Sequence, residues 1–424
     1  MSITERISIA ADHSPAQRFR EVRELTDLLA SRLSAEDQTP QSMTEASPAK
    51  WHRAHVTWFF EEFVLRRDPS YVVYDETYRY LFNSYYDAVG ERHPRPDRGL
   101  VTRPGVDDIT HYRNYVDAAI QSALTRGAFD DDALDLLELG CHHEQQHQEL
   151  LLMDIKHLFS TIPLTPGPIY VDRDLDVAGS SPALTWRSVP GGIIEVGARA
   201  DSGFSYDNER PRHRVLLTDF EIAERPVTCA DWLEFMADGG YRRPELWLSD
   251  GWAHIQHTGW DAPGYWRGDD GRWTTFTLSG RRSVQPDEPV LHVSFYEADA
   301  YARWAGCRLP TEFEWERAAG DLGDQRAELL DPYRCHPRSV ADAGSHGVAM
   351  IGNVWEWTSS AYLPYPGFVP ANGAVGEYNG KFMSDQHVLR GAGAVTPPGH
   401  ERLTYRNFFP AASRWVFAGL RLAR

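Results

Sequence analysis

Cysteine is scarce in this chain. There are four in 424 residues, Cys141, Cys229, Cys307 and Cys335, and no two form a C-x-x-C pair. That pattern suggests neither a disulfide framework nor a thiolate zinc site. Long apolar runs are also missing, since no stretch approaches the roughly 18 apolar residues a membrane span needs. The opening MSITERISIAADHSPAQRFREV lacks the basic start and apolar centre of a signal peptide, so a cytoplasmic protein is expected. Basic charge is in deficit: 43 Lys and Arg against 61 Asp and Glu leave a net charge of −18. Such a surface repels phosphate backbones and anionic bilayers, which argues against nucleic acid or membrane partners. Internal repeats and low-complexity tracts are absent as well.

What the chain has instead is aromatic rings and a clustered set of histidines. Fourteen Trp, 19 Tyr and 18 Phe suit pockets lined by rings. The length predicts about two domains. Up to about residue 160 the apolar period is helical, with helices expected near 16–33, 47–66, 107–127 and 131–159, enough for an antiparallel four-helix bundle. The last helix opens on DDDALDLLEL, acids placed where they complement the helix dipole. Residues 68–105 make a long, tyrosine-rich connection, and connections of that size are commonly functional. The Pro, Gly and Asp of 161–185 read as a linker. From 186 to 424 short β-like pieces alternate with turns, and two helices stand out, near 229–237 and 295–306, giving a mixed α+β domain.

The stretch LGCHHEQQHQELLLMDIKHL, 139–158, carries the first chemistry. On a helix, positions 136, 140, 143, 147, 150 and 154 form one stripe, which puts His143 and His147 one turn apart on a face shared with Leu136 and Leu150. Imidazoles so spaced either share a metal or make hydrogen bonds within a core. In AKWHRAHVTWFFEEFVL the stripe Trp51, His55, Phe59 and Glu62 turns His55 inward and leaves His52 and Arg53 facing elsewhere. A buried imidazole needs partners for both nitrogens, and an ion held with His143 and His147 would serve His55. Three imidazoles on one side of a metal leave open positions, as catalysis requires. His142 and His157 lie off the stripe and are assigned to the surface or to a supporting shell. The histidines alone do not select between zinc and iron.

The second half carries a family signature. PVLHVSFYEADAYARWAGCRLPTEFEWERAAG, 289–320, with GNVWEW, 352–357, LRGAG, 389–393, and the terminal FAGLRLAR, resembles the formylglycine-generating-enzyme-like fold, an architecture related to C-type lectins. In calcium-binding members the equivalents of Asn353 and Glu356 are ligands, so a structural calcium is an expectation. No cysteine follows Cys335, so the cysteine pair of the formylglycine-generating enzyme itself is missing. HRAHVTWFFEEF and HEQQHQE resemble the DinB-like bundle that holds iron on three histidines.

In this order the two halves resemble the sulfoxide synthases of ergothioneine biosynthesis. The resemblance implies a nonheme Fe(II) enzyme that uses dioxygen to join a thiol, cysteine or γ-glutamylcysteine, to the imidazole of hercynine. It makes His55, His143 and His147 the iron ligands and places Gln146 on the substrate imidazole. YRNFFP, 405–410, corresponds to the betaine-receiving segment, in which Asn407 orients the group and the rings of Phe408 and Phe409 face the trimethylammonium. NSYYDAVG corresponds to a paired-tyrosine loop, making Tyr85 or Tyr86 the candidate proton donor. Arg95 and Arg98 correspond to the loop that grips the thiol substrate's carboxylate. Mycobacterial-type members carry an aspartate where Phe409 stands, so L-cysteine is favoured here. Two alternatives remain: an ovothiol-type synthase acting on unmethylated histidine, and a zinc-dependent hydrolase or thiol transferase.

Overall fold

The computed structural model describes residues 14–164, 170, 179–269, 271–323, 326–343 and 349–424, so most of the expected linker lies outside the described residues. Two compact units emerge. The first comprises the described residues up to 164 together with Ala371–Tyr378 and Thr396–His400; the second comprises Tyr170–Pro370, Asn379–Val395 and Glu401–Arg424. Two short pieces from late in the sequence thus belong with its beginning, which no local pattern announces.

The first unit is built on α1 (Pro15–Ala30), α2 (Ala49–Phe63), the short α3 (Tyr78–Phe82), α4 (Val106–Thr125) and α5 (Asp131–Thr161). Helix α1 starts where the Ser14 side chain caps the Gln17 amide and Pro15 takes the first helical position. Helix α5 starts where the Asp130 carboxylate accepts the Ala133 amide at 2.8 Å, with Asp131 and Asp132 following in the first turn.

The single inward stripe expected for α5 does not hold. Leu136 and Leu150 are only half-buried, whereas residues 140–145 are buried on every side. The reason is that α5 packs against more than one helix. Glu144 accepts from Arg23 of α1 at 2.8 Å and from Arg113 of α4 at 3.2 Å, and Gln148 donates to the Val22 carbonyl at 2.8 Å. Helix α2 is likewise buried all round from 49 to 61, and Glu61 rather than Glu62 turns inward, accepting from Tyr112 at 2.7 Å. Breaking a buried ion pair by removing one partner costs about 3–5 kcal/mol. Glu144 and Gln148 therefore fix the rotation of α5, and residues 143 and 147, each one position earlier, are held toward α2.

The second unit carries β1 (Trp186–Val189), β2 (Gly192–Val196), β3 (His213–Leu217) and β4 (Phe220–Ala223), then β5 (Trp266–Asp269), β6 (Arg272–Thr277), β7 (Gly280–Ser283), β8 (Trp355–Ala361), β9 (His387–Arg390), β10 (Asn407–Phe409) and β11 (Ala418–Leu420). The four-stranded sheet runs β10-β9-β8-β11, antiparallel except for the β8–β11 pair. The two expected helices appear as α6 (Cys229–Ala237) and α8 (Phe295–Trp304), and two unexpected ones join them, α7 (Ser249–Thr258) and α9 (Glu312–Gly320). Helix α7 has no side-chain cap and contains Gly251, which hid it; α9 has a Thr311–Glu314 capping box that a closer reading would have caught.

GNVWEW forms core. Trp355 and Trp357 are buried and the Trp357 indole donates to the Val293 carbonyl at 2.9 Å. The calcium expectation fails on Glu356. Its oxygens accept from Arg421 at 2.9 and 3.0 Å and from the Trp315 indole at 2.7 Å, and a buried guanidinium repels a divalent cation. Asn353 is also engaged, bonded through its side chain to the Arg338 amide and carbonyl.

Candidate metal centre

His55 projects from α2 and His143 and His147 from α5. Their ring centroids form a near-equilateral triangle with sides of 4.9, 4.7 and 4.6 Å. One potential ligand atom from each lies within 4.8 Å of the others, close enough for small ring rotations to bring all three onto one ion. Because the Phe82 carbonyl can only accept, its 2.6 Å contact fixes the proton of His55 on Nδ1 and leaves the Nε2 lone pair bare. Nε2 has no hydrogen-bond partner among the described residues, and neither nitrogen of the fully buried His143 has one. A buried polar atom left unpaired costs about 1–3 kcal/mol. A metal ion would satisfy His55 Nε2 and one nitrogen of His143, so the residues fit the group that the resemblance implies.

Electrostatics point the same way. Burial pushes the His143 pKa down to about 3, with His52 adding to the effect. Burial, then the neighbouring imidazoles, hold His55 and His147 well below the usual histidine range. All three are neutral at ordinary pH, the form that ligates a cation.

The surroundings are aromatic. The His55 ring lies between two indoles, 4.6 Å from Trp51 and 5.6 Å from Trp58, and Phe59 packs on His143 at 4.6 Å. On the Trp51 ring lies the Arg98 guanidinium, 3.4 Å from the centroid. Arg98 is buried and donates to the Ser47 and Ser84 hydroxyls at 2.9 and 3.0 Å; burial holds its pKa well below the usual guanidinium value. Arg95, by contrast, is exposed and donates to the Glu45 carbonyl.

The paired tyrosines separate in role. Tyr86 is fully buried against Trp58, Phe59 and Phe63, whereas half-buried Tyr85 stacks on it at 4.7 Å and lies 6.2 Å from Tyr378. Tyr378 escaped the sequence reading. It comes from one of the late segments of the first unit, packs edge-on to His143 at 5.5 Å, and hydrogen-bonds the Gln146 side chain. The stretch around it, GEYNG, offers no local signal.

His142 is not on the surface: its Nδ1 lies 3.0 Å from His400 Nδ1 and its Nε2 lies 2.8 Å from an Arg18 nitrogen. His157 bonds the Ser42 hydroxyl at 2.7 Å. His52, expected to face elsewhere, is buried, with its Nδ1 2.8 Å from His147 Nδ1.

Asn407, Phe408 and Phe409 form β10 in the second unit. Successive strand residues point to opposite faces. Phe408 accordingly stacks on Tyr362 at 4.0 Å while Phe409 meets Trp415 at 5.8 Å, so the two rings do not line one cage as expected. The Asn407 side chain accepts the Phe408 amide at 2.9 Å.

Residues 180–424 match the sulfatase-modifying factor enzyme 1-like domain, a span that includes both late segments of the first unit. Similarity to curated proteins extends over nearly the whole chain. A hercynine oxygenase of Mycolicibacterium smegmatis is 35% identical over 409 residues, covering 89% of this chain and 91% of that protein. The chain belongs to the hercynine oxygenase family. Another member, from Mycobacterium tuberculosis, is 34% identical over 399 residues, with 89% and 91% covered. Ergothioneine biosynthesis protein 1 of Schizosaccharomyces pombe is 25% identical over 281 residues, 62% of this chain and 34% of that longer protein. Within this hercynine oxygenase family chain, no helix among the described residues is long and apolar enough to cross a membrane.

Proposed function

We propose that the protein is a nonheme Fe(II)- and dioxygen-dependent sulfoxide synthase of ergothioneine biosynthesis, which joins the sulfur of a thiol, with L-cysteine favoured, to the imidazole carbon of hercynine. The single observation that carries the reading is the triangle of neutral imidazoles, two of them fully buried with unpartnered nitrogens among the described residues. Full-length similarity to hercynine oxygenases supports the choice of reaction.

His55, His143 and His147 would hold the metal, and a bound ferrous ion would supply dioxygen activation and open positions for both substrates. The chain's own groups do the rest. Gln146, one residue before His147, orients the substrate imidazole. Arg98 takes the carboxylate of the thiol substrate, since among the described residues its buried guanidinium donates to two neutral hydroxyls and to no carboxylate. Tyr378, with its ring edge-on to His143 and its hydroxyl on Gln146, supplies the proton, with Tyr85 behind it. The rings of Trp51, Trp58 and Phe59 exclude water.

The test is dioxygen uptake by anaerobically purified, iron-loaded protein given hercynine with cysteine or γ-glutamylcysteine, with the product identified by mass. Uptake coupled to one S-linked sulfoxide is expected. Uptake that does not depend on hercynine, or none with either thiol, refutes the assignment.

A further inference from the structure

We propose that Asp154, acting through His52, sets the tautomer of His147 and thereby makes its Nε2 available as a ligand. This rests on the reading of the three histidines as a metal centre. His52 lies three residues before His55 on α2, and Asp154 lies seven residues after His147 on α5. The three groups form a chain. Asp154 Oδ2 is 3.0 Å from His52 Nε2, and His52 Nδ1 is 2.8 Å from His147 Nδ1. All three side chains belong to the first unit, and His52 and Asp154 are buried, 3% and 6% exposed.

Hydrogen-bond polarity runs along this chain in one direction. Asp154 Oδ2 also accepts the Ser47 amide hydrogen at 2.8 Å, so it is an acceptor. His52 must then carry its proton on Nε2. A neutral imidazole protonated there presents a bare Nδ1, and a bare Nδ1 facing another Nδ1 at hydrogen-bond distance accepts from it. His147 is therefore protonated on Nδ1, and its Nε2 lone pair is left for the centre. A carboxylate beyond a ligand histidine commonly fixes that histidine's tautomer. Here a second imidazole stands between them. The three ligands are thus held unequally: His55 by a carbonyl, His147 by a two-ring relay, and His143 by no hydrogen bond among the described residues.

His52 and Asp154 are positioning residues on this account, so the readouts are affinity and tautomer rather than turnover. The probe is Co(II), titrated into full-length metal-free protein against a competing chelator. His52→Leu should weaken binding about tenfold to a hundredfold. His52→Asn, whose Oδ1 stands close to the lost Nδ1 and can accept from His147, should recover most of it. Asp154→Leu, which frees His52 to take either tautomer, should fall between. Long-range proton–nitrogen NMR of histidine-labelled metal-free protein should find His147 protonated on Nδ1 in the wild type and partly on Nε2 in His52→Leu.

Unfolding midpoints of the metal-free variants separate loss of fold from loss of tautomer. Where His52→Leu is unstable, Asp154→Leu and the wild-type tautomer carry the test. Wild-type His147 protonated on Nε2, or Co(II) affinity within twofold of wild type in folded His52→Leu or Asp154→Leu, overturns the relay and leaves the metal centre standing. Failure of the wild type to bind Co(II) overturns both.

Discussion

Gly140 offers the most demanding check on the packing that builds the centre. It lies one turn before His143 on α5, and a Cβ there would sit 2.4 Å from Phe60 Cε1 on α2, with two more ring atoms at 2.9 and 3.0 Å. Gly140→Ala should gain about 0.8–1 kcal/mol from helix propensity. Against that stands overpacking, typically about 1–3 kcal/mol. The Phe60 ring cannot retreat easily, because it is fully buried, meets Phe19 edge-on at 5.0 Å and lies 5.4 Å from the Arg23 guanidinium. The overlap exceeds an ångström, so the upper end of the range applies and a net loss of about 2 kcal/mol follows. The strain falls on the spacing of the two helices that carry His55 and His143, and Co(II) affinity should drop about tenfold, equivalent to about 1.4 kcal/mol. Guanidinium unfolding and metal titration read the two effects. A variant as stable as the wild type with unchanged affinity would refute the claim that α2–α5 contact sets the ligand geometry.

Other consequences can be checked directly. His143→Leu should abolish stoichiometric Co(II) binding while leaving the metal-free protein no less stable, because two unpartnered buried nitrogens are removed; a large fall in the metal-free melting temperature would contradict this. Arg98→Leu should raise the KM for the thiol about tenfold or more while that for hercynine changes little, and an unaltered thiol KM would remove Arg98 from that role. Tyr378→Phe should lower kcat by about a hundredfold, with Tyr86→Phe near wild type, and the reverse order would return the proton to the sequence-predicted pair. On acidification the second unit should weaken: burial raises the pKa values of Asp231 and Glu314, but Arg225 with Thr228 and Arg308 with Thr311 outweigh it and hold them below the ordinary carboxylate range. Depressed folded-state values stabilise above the unfolded pKa, and that stability disappears as pH falls through the folded one. Melts at pH 7 and pH 3 should show the loss, and equal midpoints would exclude it.

The parts of this molecule that follow from short-range pattern were legible in the sequence. The acidic opening of α5, the four long helices and the i, i+4 pair His143 and His147 are all written within a few turns of chain. What escaped was set by long-range packing. A single-stripe rule cannot describe α5 when Glu144 faces arginines on two other helices. His52 looks misdirected by periodicity alone, yet it is buried because its partners His147 and Asp154 come from another helix. Tyr378 lies more than two hundred residues from the histidine it accompanies. The rings of Phe408 and Phe409 were expected to act together, and strand alternation separates them.

The late segments also constrain how this chain is made. Glu149 takes the Thr396 hydroxyl at 2.8 Å, Gln145 donates to the Pro398 carbonyl at 3.1 Å, and His142 meets His400. A ribosome releasing the chain from its amino end will have synthesised more than two hundred residues beyond α5 before these partners exist. The unit encoded first is finished only after residues 170–370 of the second have been made, and a gene truncated after α5 would deliver its helices without Tyr378 and the three contacts from 396–400.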